Sequence, residues 1–149
     1  MPTRRQFGAT LGSGVLAFGL ARRAQASPGF YTKDGYAIGG YDPAAYWTDQ
    51  KAKLGQVGFN CEWKGVNWIF TSQANRDSFL ANPAKYAPAM SGYCPFCLAG
   101  GKLVPGAGNL YYIHKGKLYL LLSARIREDF IMKADYYVAR AEAYWAKLS

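Results

Sequence analysis

Two stretches of alternating apolar residues, each broken by a Lys-Gly pair, constrain the fold of this chain more than any other feature. Val57, Phe59, Cys61 and Trp63 alternate with Gly58, Asn60 and Glu62, and after Lys64-Gly65 the alternation resumes as Val66, Trp68 and Phe70. Successive side chains of a strand point to opposite faces, so the pattern predicts a β-hairpin with one buried face. A second hairpin is readable in residues 110–114, the turn Lys115-Gly116 and residues 117–122. Helices are expected around these strands. Asp42 before Pro43 is a good helix start, since Asp caps free N–H groups and Pro suits a first turn. Ser72 can cap a helix through Ala81, which Asn82-Pro83 stops before a turn ending at Tyr86. Tyr137, Ala141, Tyr144 and Leu148 recur at helical spacing and lay one apolar stripe on a helix from about Asp135 to Lys147. Strands followed by helices, twice over, make an α+β fold of two β-hairpins packed with short helices and a C-terminal helix. The chain's 149 residues leave room for one domain, expected to be unrepeated over residues 36–149 after a short leader at 27–35.

The first 26 residues read as an address. Arg4-Arg5-Gln6-Phe7 precedes a Gly/Ala/Leu stretch that ends at Ala24-Gln25-Ala26, the pattern of a twin-arginine export signal cleaved after Ala26. The apolar stretch is too short and Gly-rich to span a bilayer, which takes about 20 residues. The expected location is therefore the periplasm, with no transmembrane segment in the mature chain. The signal also holds much of the positive charge. Of the formal charge of +9, four units belong to Arg4, Arg5, Arg22 and Arg23, and the remaining Lys and Arg are dispersed. Dispersed single charges argue against nucleic acid as a partner.

With three Cys and one His, one chain can build neither a three-His zinc site nor a four-Cys cluster. The sharpest local motif is Cys94-Pro95-Phe96-Cys97. Pro95 favours a first helical turn, which puts Cys94 at the helix start and Cys97 one turn on, on the same face. Such a pair can close as a disulfide, take one soft metal ion, or exchange disulfides if the helix start lowers a thiol pKa. Cys61 lies on the apolar face of the first hairpin, where a Cys usually packs as a small hydrophobe. His114 is the sole imidazole, and Met90, four residues before Cys94, could add a thioether. Cys, Met and His together suit Cu(I). No pairing of Asp or Glu and no phosphate-binding loop points to hydrolase chemistry.

Several ordered blocks resemble the exported bacterial YHS-domain proteins: residues 38–46 (Ile38-Gly39-Gly40-Tyr41-Asp42-Pro43-Ala44-Ala45-Tyr46), Trp68-Ile69-Phe70-Thr71-Ser72, Asn75-Arg76-Asp77, Asn82-Pro83-Ala84-Lys85-Tyr86 and Gly92-Tyr93-Cys94. The resemblance extends loosely to Trp145. It implies a small α+β domain related to modules that handle copper and other soft metals. Where metal-binding relatives carry two Cys four residues apart, this chain has Thr71 and Asn75, so no metal role is inherited through that motif. The tetrapeptide also resembles the active site of glutaredoxins, in a different sequence context. The expected function is a binding module for a soft metal such as copper, more a binder than an enzyme, with Cys94 and Cys97 as first candidates and Met90, His114 or Cys61 completing the site. A thiol-disulfide oxidoreductase acting on a partner protein through the same pair, and a domain with a structural disulfide, stand as alternatives.

Overall fold

A computed structural model describes residues 27–149; the expected export signal, with Arg4, Arg5, Phe7, Ala24 and Ala26, lies outside the described residues. The first hairpin pairs β3 (Gln56–Trp63) with β4 (Val66–Phe70) in antiparallel register, Cys61 opposite Trp68. Two short strands precede it, β1 (Thr32–Lys33) and β2 (Tyr36–Ala37), and β2 joins β4 in parallel, so the sheet order is β1-β2-β4-β3. The second hairpin, β5 (Ala107–His114) and β6 (Lys117–Leu121), forms a separate two-stranded sheet. Six helices complete the α+β fold: α1 (Ala45–Thr48), α2 (Gln73–Ala81), α3 (Pro83–Tyr86), α4 (Pro95–Ala99), α5 (Ala124–Met132) and α6 (Ala134–Lys147). No helix among the described residues is long and apolar enough to cross a membrane.

Val57 departs from the simple alternation. It is 61% exposed because the register shifts between Gln56, opposite Phe70, and Asn60, opposite Ile69, and the unpaired residues of such a bulge turn off the buried face.

The chain is also repeated, contrary to the expectation of an unrepeated domain. Gly55, Lys64-Gly65, Ser72, Arg76, Phe79 and Tyr86 correspond at one constant spacing to Gly106, Lys115-Gly116, Ser123, Arg127, Phe130 and Tyr137. The structure repeats with the letters. Both Lys-Gly turns are left-handed, with φ of 55° and 75° in the first and 49° and 74° in the second. Ser72 and Ser123 each cap the helix that follows, accepting from the N–H of Asn75 and Ile126. Both outer strands shift register over the same stretch. A Cβ on Gly55 would collide with the backbone of Ile69, and one on Gly106 with that of Leu120, the corresponding residue. Upstream, Gly55 N–H donates to Gly40 C=O as Gly106 N–H donates to Gly92 C=O. Tyr41 bridges to Leu54 as Tyr93 does to Pro105. Each unit is thus a 3₁₀ turn ending in Gly, a Gly-Tyr-x-Pro segment, a short helix, a hairpin and a capped helix.

Strand β6 binds the two units into one body. Leu118 and Leu120 belong to a core with Trp68, Phe70, Phe79, Tyr46 and Ile38. Tyr119 and Leu121 belong to a second core with Phe130, Ala134 and Cys94. Four consecutive buried residues follow from a strand covered on both faces. The units are also tied by Tyr46 Oη, which donates to Gly108 C=O at 2.6 Å.

Candidate functional site

Cys94 ends an extended segment and immediately precedes α4, with Pro95 opening the helix and the Cys94 carbonyl accepting the Leu98 N–H at 3.0 Å. Its N–H is used in turn by Val104 C=O at 2.8 Å. Both backbone ends are therefore fixed, and the side chain is fully buried in the second core. Cys97, one turn on, is partly exposed at the edge of the same core. Both thiols are free, and they neighbour one another. Burial first, and then the adjacent Cys94, push the Cys97 thiol up to about 12, against a smaller pull from Lys102. Cys97 lies within the first turn of α4, beyond its N-cap, and there loss of water sets the direction of the shift.

Met90 is the one other candidate packed against this core. It and Ser91 hold left-handed backbone, with φ of 53° and 54°, in the turn that leads to Gly92. Cys61 sits in the first core, opposite Trp68, its thiol pKa raised by burial. His114 closes β5, stacks on Tyr112, and its Nε2 lies 2.7 Å from Asp135 Oδ1. That carboxyl is held below its usual range by His114 and then Lys115. The pair and Met90 thus border the same core, while Cys61 and His114 are placed with other partners. Among the described residues no three His, Cys, Asp or Glu side chains surround one point.

The first unit shows what stands in place of the pair. By the shared hydrogen bonds Asp42 occupies the position of Cys94: its N–H bonds Lys53 C=O, as that of Cys94 bonds Val104 C=O. Asp42 is fully buried and accepts five hydrogen bonds. Its Oδ1 takes Ala44 N–H at 2.8 Å and Ala45 N–H at 3.2 Å. Its Oδ2 takes Thr71 N–H, Thr71 Oγ1 and Asn75 Nδ2, each at 2.8 Å. Thr71 and Asn75 are therefore both engaged by a carboxylate. In the second unit Asp42, Thr71 and Asn75 become Cys94, Leu122 and Ile126, and Cys97 stands where the first unit has Ala45. Sequence reading treated Asp42 only as a helix start; comparison of Gly40-Tyr41-Asp42-Pro43 with Gly92-Tyr93-Cys94-Pro95 was the signal that exposes its counterpart.

No family model matches this chain, and neither the curated proteins nor the solved structures contain a match.

Proposed function

We propose that this protein is an exported module that holds a soft metal ion of the Cu(I) type on Cys94 and Cys97, with the Met90 thioether beside them. The single observation that carries the reading is the exchange between the units: the same scaffold forms around Asp42 and Ala45 with no thiol at either position. A fold that closes without the pair does not require it, so the pair is best explained by chemistry. The change is also concerted, since the polar partners of Asp42 are lost where the thiols appear.

The raised pKa of Cys97 opposes its use as the attacking thiol of a disulfide-exchange site. An exchange site works through a thiolate present near neutral pH. Here the second negative charge is opposed by burial and by its neighbour, a repulsion that a bound cation relieves as it displaces the protons. The ion would bind most tightly at high pH, where fewer protons compete.

The test is Cu(I) retention by the reduced protein against a competing chelator at several pH values. One equivalent should be held, with affinity rising at least tenfold from pH 6 to pH 8, and Cys94→Ser should abolish retention. Alkylation of Cys97 should be slow at pH 7 and accelerate steeply above pH 9. Rapid alkylation at pH 7 with no copper retained would instead support a thiol oxidoreductase.

A further inference from the structure

We propose that a cleft at the seam between the two units is a binding site for a planar aromatic anion. This inference is independent of the thiol pair. The cleft has a volume of about 370 Å³, within the range of about 300–1,000 Å³ that small-molecule sites occupy. It is lined by Trp63 from the end of β3, Trp145 from α6 and Phe30 from the segment before β1, with the nearly buried Tyr119 and Met90 below. An adjoining groove shares Phe30, Trp63 and Trp145 and adds Lys64.

The walls are held in place before any ligand arrives. Trp63 is braced by Phe30, Trp68 and Phe79, with ring centroids 5.5, 5.9 and 5.5 Å away, and Trp145 leans on Tyr93 at 6.2 Å. Fixed indole rings suit stacking on a flat π system, because little side-chain freedom is left to lose on binding. The repeat does not demand this arrangement. The counterpart of Trp63 in the second unit is His114, which turns to Asp135 instead.

Charge selects the sign of the ligand. Lys85 and Lys117 stand at the mouth, and Lys64 Nζ lies 5.5 Å over the Trp63 ring. Glu142 is the one acid lining the cleft, and its Oε1 is 3.8 Å from Lys117 Nζ. Among the described residues, two ammonium groups against one carboxylate in the cleft, with the Lys64 ammonium in the adjoining groove, favour a flat ring carrying a carboxylate or similar anionic group.

The probe is 2-naphthoate, titrated into the reduced full chain by isothermal calorimetry at low ionic strength, with neutral 2-naphthamide as control. Saturable 1:1 binding is expected, at least fivefold tighter for the acid than for the amide. The double variant Lys85→Glu/Lys117→Glu should weaken naphthoate at least tenfold, Trp145→Ala by a similar factor, and Glu142→Gln should tighten it two- to fivefold. The three charge changes are at exposed positions and keep the test valid should Trp145→Ala unfold the protein. Absence of saturable binding, equal affinity for acid and amide, or naphthoate affinity within twofold of wild type in the double Lys variant would overturn the proposal.

Discussion

Replacing Asp42 with Ala is expected to lower the free energy of unfolding by about 4 kcal/mol, the larger share from donors left unpaired in the interior at roughly 1–3 kcal/mol each. The carboxylate is fully buried and binds the start of α1, the end of β4 and the first turn of α2 through five hydrogen bonds. Ala leaves Thr71 N–H and Asn75 Nδ2 facing a void, although Asn75 Nδ2 retains Thr71 Oγ1 at 3.2 Å. The second unit suggests the remedy. Changing the set together, Asp42→Cys with Thr71→Leu and Asn75→Ile, removes two of the side-chain donors as well as the acceptor. It should recover about half of the loss, because deleting both partners of a buried hydrogen bond costs far less than deleting one. Urea unfolding of the three proteins measures this directly, and a triple variant no more stable than Asp42→Ala would show that the two units meet different packing demands.

Trp68→Ala is expected to cost about 3–5 kcal/mol, the usual range for emptying a large aromatic site in a core. Trp68 is fully buried at the centre of the first core, with Phe30, Trp63 and Phe79 rings around it at 5.0, 5.9 and 5.1 Å. Its Nε1 also donates to Trp63 C=O at 3.1 Å, so the indole fixes the strand that carries the cleft wall. A thermal melting curve indistinguishable from that of the wild type would contradict this account of the core.

Strand and helix positions were largely readable, because alternation, Lys-Gly turns and Ser caps are local signals. Residues 73–81 and 134–147 form helices close to the expected limits. Helix α5 was not anticipated, although Ser123 stands to it as Ser72 stands to α2. The pairing of β2 with β4 escaped notice because two-residue strands carry no period of their own. The repeat escaped because most matched positions conserve shape and not letter: Ile69 and Phe70 answer to Leu120 and Leu121, and Trp68 to Tyr119. Of the site, the one-turn spacing of Cys94 and Cys97 was legible in Cys-Pro-x-Cys. Burial of Cys94, and the separation of Cys61 and His114 from it, depend on β6 dividing two cores, which no local pattern encodes.

The central claim is that Cys94 and Cys97 are an addition to a unit that folds without them, and the stability of the Cys94→Ala/Cys97→Ala double variant tests it most directly. The account predicts a urea midpoint close to that of the reduced wild type, a loss of about 2 kcal/mol or less for one buried and one partly exposed small group, alongside complete loss of Cu(I) retention. A loss above about 4 kcal/mol, the size expected of a structural keystone, would contradict it and make the pair part of the fold.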